Sequence, residues 1–190
     1  MGTYPIMLHV KNKNVIVVGG GKVAYKKITS LLIAGADITV ISPTVISPIK
    51  KLVDERQIRW LQKTVKREDL RDAFVIIAAT NNEKVNKLIA QSSSSHQLVN
   101  VVDNQKTGNF QVPATLRRGK LTIAVATSGA SPKLAKMIRN ELAEIYDESY
   151  ESYLDFLYQY REKIKQLKLD DRTKDRMLEE ILHEKKKNLS

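Results

Sequence analysis

"NVIVVGGGKVAYKKITSLLIAGADITVIS", residues 14–42, decides the fold. Val15 to Val18 form a short β-branched apolar run that ends in three glycines. A helical stretch follows, in which Val23, Ile28, Leu31 and Leu32 supply a largely apolar face. Gly35 in "AGA" breaks it, and a second apolar run, Ile38 to Ile41, begins at once. Strand, helix and strand make one βαβ unit. Within it Gly19, Gly21 and Ala24 fit G-x-G-x-x-A, with Gly20 as an additional glycine. The first glycine permits a tight turn, the second lets the backbone approach a pyrophosphate, and the small third residue packs helix on strand. The helix start then offers free N–H groups and partial positive charge to phosphates. A glycine turn can be purely structural, but between a buried strand and a helix it marks a dinucleotide site. No G-x-x-x-x-G-K-[ST] is present, which excludes a P-loop.

Outward from this unit the alternation continues. "IRWLQ" reads as strand, "REDL" as a short helical turn, "AFVIIAAT" as strand, "NEKVNKLIAQSSSS" as helix and "LVNVVD" as strand. Strands alternating with helices predict an α/β fold, a Rossmann-type doubly wound parallel sheet. "MLHVKNKN" ahead of the first strand adds a short antiparallel edge ribbon in this reading. After residue 103 the rhythm changes. "GNFQVPA" and "GKLTIAVATSG" look like two strands joined by "TLRRG", too short for a crossover helix. "SPKLAKMIRNELAEIY" follows as a helix, with Ser131 as N-cap and Pro132 at the first helical position. Two more helices are expected from Asp147 onward, the second capped by Asp170 or Asp171. The Tyr150, Tyr153, Leu154, Leu157, Tyr158 stripe of the first reads as packing surface. "HEKKKNLS" (183–190) gives no firm end for the last helix.

Ligands of an open parallel sheet bind outside the carboxyl ends of its strands. Three polar clusters fall there: Gly19–Gly21, "AATNN" at 78–82, and Asp103-Asn104. Thr80 and Asn81 line the crevice beside the dinucleotide in this reading, and Asp103 stands where cofactor and substrate meet. Asp103 ends the apolar run Leu98, Val99, Val101, Val102, where a carboxylate costs free energy without a partner. It reads equally as a general acid/base and as a turn-former. The second strand of such a unit usually ends in an acid that holds the ribose. Here it ends in Ser42, Pro43 and Thr44, while Asp37 lies at the strand's start. Ser42 or Thr44 can bond to ribose or adenine instead. With no arginine following to grip a 2′-phosphate, NAD is favoured over NADP.

Composition narrows the classes further. The chain has 190 residues, 42% hydrophobic and 28% charged, with no cysteine, which excludes disulfides, thiolate metal sites and cysteine nucleophiles. His9, His96 and His183 form no spaced ligand motif, so no metal site is expected. No apolar run approaches the roughly 20 residues of a membrane span. A cytoplasmic protein without a membrane partner is expected. The net charge is +11: residues 1–146 carry an excess of +12, with 22 Lys and Arg against 10 Asp and Glu, and residues 147–190 hold 10 against 11. A basic body invites a small polyanion or nucleic acid. The tail carries no helix-turn-helix signature, so nucleic acid is not expected, though a non-catalytic NAD-sensing regulator is the reading from that class.

"VVGGGKVAYKKITSLLIAGADITVISP", "AATNNEKVN", "NVVDN" and "VPATLRRGKLTIAVATSGASPKLAKMIRNEL" occur in this order and spacing. Together they resemble the precorrin-2 dehydrogenase family of siroheme synthesis, closely over residues 1–146 and loosely beyond. The resemblance implies NAD-dependent oxidation of precorrin-2 to sirohydrochlorin by a homodimer. Its implied organisation is a Rossmann domain at 1–112, a dimerisation segment at 113–146 and a small helical domain at 147–190. It implies that the dinucleotide contacts Lys22, Val23, Pro43 and Thr44, so the missing acid is a family trait. It also implies that Asp103 acts as acid/base and that Ser128, in the turn before the dimer helix, faces the tetrapyrrole. Precorrin-2 is a polycarboxylate, so Arg117, Arg118, Lys120, Lys133 and Lys136 are candidates to orient it. Some members also insert ferrous iron, which leaves a bifunctional dehydrogenase and ferrochelatase as the alternative.

Overall fold

The computed structural model describes residues 2–104 and 106–188, with side chains through Leu182. The chain divides into two compact units, Met1–Val112 and Pro113–Ser190. In the first, β1 (Asn14–Val18), β2 (Asp37–Ile41), β3 (Arg59–Leu61), β4 (Val75–Ala78) and β5 (Leu98–Val101) form one parallel sheet ordered β3-β2-β1-β4-β5. Helices α1 (Lys22–Ile33) and α2 (Ser47–Asp54) return the chain from β1 to β2 and from β2 to β3. A 3₁₀ turn (Arg67–Leu70) lies between β3 and β4, and α3 (Glu83–Ser92) between β4 and β5. Strand order runs outward from β1 in both directions, so right-handed crossovers put the two helix sets on opposite faces.

The two apolar clusters record that division. On one face Val15, Val17, Ile38, Val40, Val75 and Ile77 pack against Ala24, Ile28 and Ile49 of α1 and α2. On the other, Ile16, Val18, Ile76, Ala78, Val99 and Val101 pack against Ile89 of α3 and Leu70. β-branched residues therefore fill both sides of β1, β2 and β4, as a covered parallel sheet requires.

Four sequence expectations change. Val23 is 47% exposed, because Ala24 and Ile28, four residues apart, define the buried stripe of α1 and Val23 falls outside it. No strand forms among the described residues before Asn14; instead Asn12 turns with φ 58° and its N–H donates to Gly35 O at 2.8 Å. Helix α2 has no counterpart among the expected elements because it is short and rich in lysine, although Pro48 sits in its first turn. "GNFQVPA" is not a strand: β6 is Ala114–Arg118, β7 is Leu121–Val125, and "TLRR" lies inside β6. Only Gly119 and Lys120 connect that antiparallel pair, with Gly119 at φ 52°, a two-residue hairpin.

The misread segment does have a sheet role. Val99 N–H donates to Asn109 Oδ1 (2.7 Å), Asn109 N–H to Val99 O (2.9 Å), and Asn109 Nδ2 to Gln97 O (2.7 Å). One asparagine thus satisfies the open edge of β5 as a sixth strand would. A Cβ on Gly108 would lie 2.4 Å from Val99 O, so only glycine allows this approach.

In the second unit, α4 (Pro132–Ile145) packs on the β6–β7 ribbon, and α5 (Ser149–Gln166) and α6 (Asp171–Asn188) follow. Ser131 caps α4 by accepting from Leu134 N–H at 3.1 Å, and Asp170 caps α6 by accepting from Thr173 N–H at 3.0 Å. Tyr150, Tyr153, Leu154 and Leu157 are half-buried, and Tyr158 is exposed. The end of the tail reading, Leu189 and Ser190, lies outside the described residues.

Candidate active site

The register aligns Ile41, Val18, Ala78 and Val101 in one row across the sheet. Each strand therefore ends at the same level, and the chain continues into Ser42, Gly19, Ala79-Thr80 and Val102-Asp103. Backbone hydrogen bonding runs one residue further: Gly19 N–H to Ile41 O at 3.0 Å, Ala79 N–H to Val18 O at 2.8 Å, Val102 N–H to Ala78 O at 3.1 Å. The expected convergence of glycine loop, "AATNN" and Asp103 is a consequence of this row.

The three glycines do different work. A Cβ on Gly19, which has φ 121°, would lie 2.3 Å from Ala79 O, so the loop crosses directly over the end of β4. A Cβ on Gly20 would lie 2.0 Å from Thr44 O and 2.9 Å from Val45 Cα, and Gly20 O accepts from Ile46 N–H at 2.9 Å. Gly20 therefore seats the loop on the β2–α2 connection. A Cβ on Gly21 would meet open space. Gly21 is also the N-cap of α1, makes no side-chain cap, and is followed by no acidic residue in the first turn. α3 and α4 are capped by Asn82 and Ser131, whereas α2 and α5, like α1, start without a side-chain cap. An uncapped helix start behind a glycine that leaves its side-chain volume empty fits a dinucleotide pyrophosphate, with Lys22 and Val23 contributing first-turn N–H groups.

At the end of β2, Ser42 is buried and its hydroxyl donates to Thr44 O at 2.7 Å, while its carbonyl accepts from Trp60 Nε1 at 2.9 Å. Ser42 shapes the turn that presents the exposed pair Pro43-Thr44. Asp37, at the opposite end of β2, pairs with Arg59 at 3.1 Å.

Sequence reasoning missed one residue here. Asn86, 2% exposed on the sheet-facing side of α3, uses its whole amide. Its Oδ1 accepts from Thr80 Oγ1 (2.7 Å) and Thr80 N–H (3.3 Å); its Nδ2 donates to Thr80 O (3.0 Å) and Asp103 Oδ2 (2.9 Å). A backbone N–H only donates and a carbonyl only accepts, so the orientation of the amide is fixed. This is the partner that a carboxylate beside a buried strand needs. The available signal was an asparagine on the apolar stripe formed by Val85, Ile89 and Ala90. The Thr80 hydroxyl also accepts from Asn82 N–H at 3.1 Å, and Asn81 is exposed beside it.

Arg117, Ser128 and Lys133 belong to the second unit and are exposed. Ser128 holds φ 48° and Gly129 φ 85° in the turn between β7 and α4, closed by Ala130 N–H to Thr127 O at 2.8 Å. A serine in the left-handed region is uncommon and strained. No group of three or more His, Cys, Asp or Glu among the described residues is placed to hold a metal ion.

A glycine-loop Rossmann domain with a carboxylate fixed at the neighbouring strand end defines a nicotinamide-dependent oxidoreductase. Family models agree: an NAD(P)-binding model matches residues 6–114, a sirohaem biosynthesis central model 118–145 and a SirC C-terminal model 150–188. The chain belongs to the precorrin-2 dehydrogenase family. It is 42% identical to the precorrin-2 dehydrogenase of Priestia megaterium over 94% of this chain and 89% of that one. It is likewise 42% identical to that of Bacillus subtilis, over 84% of this chain and 98% of the relative. The siroheme synthase of Actinobacillus pleuropneumoniae is 33% identical over 87% of this chain but only 34% of its own length. The solved structure of SirC, a precorrin-2 dehydrogenase, superposes with a TM-score of 0.84 at 42% identity, covering 94% of this chain and 89% of that one.

Proposed function

We infer that this protein oxidises precorrin-2 to sirohydrochlorin in siroheme synthesis, with NAD as the cofactor. The observation that carries the reading is the Asp103 carboxylate, held beside Thr80 at the strand ends next to the glycine loop. Oxidation of the macrocycle removes a hydride and a proton. The bound nicotinamide supplies the hydride acceptor. Gly19, Gly20 and Gly21, with Lys22 and Val23, hold the pyrophosphate; Pro43 and Thr44 border the adenosine half, and Thr80 and Asn81 the nicotinamide half. Asp103 accepts the proton at the carboxylate oxygen that Asn86 leaves unbonded. Arg117 and Lys133 are assigned to the substrate's carboxylates, and Ser128 to the face of the macrocycle. With neither an acid to hold the ribose nor an arginine after β2, NAD is preferred to NADP.

A homodimer is part of this reading. Leu134, Met137 and Ile145 stand 46%, 49% and 64% exposed on one side of α4, with Glu141 among them. A second copy of the chain covers this side.

Anaerobic incubation with precorrin-2 and NAD tests the function, the product being followed by its absorbance. No spectral change with folded, dinucleotide-binding protein refutes it. Asp103→Ala is expected to lower turnover by about 10²–10⁴-fold with NAD affinity retained. A normal rate in that variant refutes the assignment of Asp103.

A further inference from the structure

We propose that Asn86 is the positioning residue for Asp103: it ties one carboxylate oxygen to the cofactor side of the crevice and so leaves the other to face the substrate. The proposal rests on the reading of Asp103 as proton acceptor. Two observations carry it. Asn86 is buried on α3, seventeen residues from Asp103, yet its Nδ2 reaches Asp103 Oδ2 at 2.9 Å. Asp103 is itself exposed, and among the described residues no other side chain donates to its carboxylate. Left alone, an exposed carboxylate on a turn rotates freely; one hydrogen bond from a rigid, buried donor removes that freedom.

The remaining three bonds of the Asn86 amide explain why it is a rigid donor. All go to Thr80: one from the backbone N–H, one from the hydroxyl, one to the carbonyl. Thr80 follows Ala79, whose carbonyl underlies Gly19. A single amide therefore links the segment beneath the glycine loop to the proton acceptor, which fixes their separation. The chemistry of the donor matters as well. A lysine or arginine here would orient Asp103 equally well but would stabilise the anion strongly and weaken it as a base. A neutral amide orients the carboxylate without bringing a charge to it. The other oxygen of Asp103 stays open for the macrocycle.

Asn86→Leu keeps the side-chain volume and removes every polar contact. The expected result is a fall in kcat of about 10–100-fold, as for a misplaced catalytic group. KM for precorrin-2 and the NAD dissociation constant stay within about threefold of the parent protein. The same substitution in an Asp103→Asn background is expected to cost less than about threefold in kcat at saturating NAD, because the part of its effect that runs through Asp103 has nothing left to position. Loss of the full factor again in that background, or a rise in KM or in NAD dissociation constant that matches the fall in kcat/KM, overturns the proposal. If Asp103→Asn is too slow to measure, the split between kcat and KM in Asn86→Leu decides. If Asn86→Leu does not fold, Asn86→Asp takes its place. It keeps the shape and the acceptors for Thr80 but sets an anion against Asp103, and the same kcat-specific loss is expected. Normal turnover by Asp103→Asn with impaired turnover by Asn86→Leu sinks the acid/base reading and this inference together. Impaired Asp103→Asn with normal Asn86→Leu sinks this inference alone.

Discussion

Exchanging Gly20 and Gly21 for alanine, one at a time, separates the part of the glycine loop that holds the fold from the part that holds the cofactor. At Gly20 the new methyl group would lie 2.0 Å from Thr44 O, a backbone atom, and 2.9 Å from Val45 Cα. Neither is the movable end of a side chain, so the loop or the β2–α2 connection must shift by about 1 Å or more. Overpacking of this kind costs about 1–3 kcal/mol. For a chain of this size, about 2–4 °C of Tm accompanies each kcal/mol, so Gly20→Ala should unfold about 2–12 °C below the parent. At Gly21 the methyl group meets nothing, and the residue is extended at φ −93°, ψ −172°, where alanine is not strained. Losing a glycine from the unfolded chain stabilises by about 0.4–1 kcal/mol. Alanine is a poorer N-cap than glycine by an amount on the order of 1 kcal/mol. The two offset, and Tm should stay within about 3 °C. The methyl group does enter the volume assigned to the pyrophosphate, so dinucleotide affinity should fall about 10–100-fold, the equivalent of about 1.4–2.8 kcal/mol. Thermal unfolding without ligand and titration of NADH fluorescence measure the two effects separately. Gly21→Ala binding NADH as tightly as the parent refutes the pyrophosphate path. Gly20→Ala unfolding at the parental temperature refutes the steric argument.

Other perturbations test other parts of the molecule. Asn109→Ala leaves the buried N–H of Val99 and the carbonyl of Gln97 without their partner, at a cost of about 1–3 kcal/mol, to be read as a lower Tm in thermal unfolding. Asp69 titrates below the usual aspartate range: burial pushes it up, but hydrogen bonds from Lys63 and from Lys66 N–H outweigh burial and hold it down. Its contribution to stability is therefore present above the unfolded-state value and is lost as pH falls through the depressed folded one. Asp69→Asn should flatten the acid limb of the Tm–pH curve, making stability below the ordinary aspartate range less dependent on protonation; an unchanged acid limb counts against the pairing. Met137→Lys places a charge among the exposed apolar residues of α4 and should convert a dimer to monomer in sedimentation, while unit folding by circular dichroism is retained.

The readable part of this protein was local. A β-branched run, a glycine turn and an amphipathic stretch each show their period within a few residues, so the βαβ unit and the strand-end position of Asp103 could be found from residue order. The failures were local too. Val23 was counted into a stripe that Ala24 defines, and the lysines of α2 hid a helix whose one buried residue is Ile49. "GNFQVPA" has the composition of a strand but pairs through the side chain of Asn109, which a period cannot reveal.

The sequence by itself determined the parallel sheet, the cofactor loop and the end of the sheet at which chemistry takes place, because each depends on neighbours along the chain. The tertiary structure alone decided how these parts are joined. Gly20 is required by Thr44 and Gly19 by Ala79, contacts across twenty-four and sixty residues. Asp103 is held by Asn86 only because α3 packs its inner face against the ends of β4 and β5. A carboxylate's partner is chosen by distance in space, and that distance exists only once the sheet has closed around its helices.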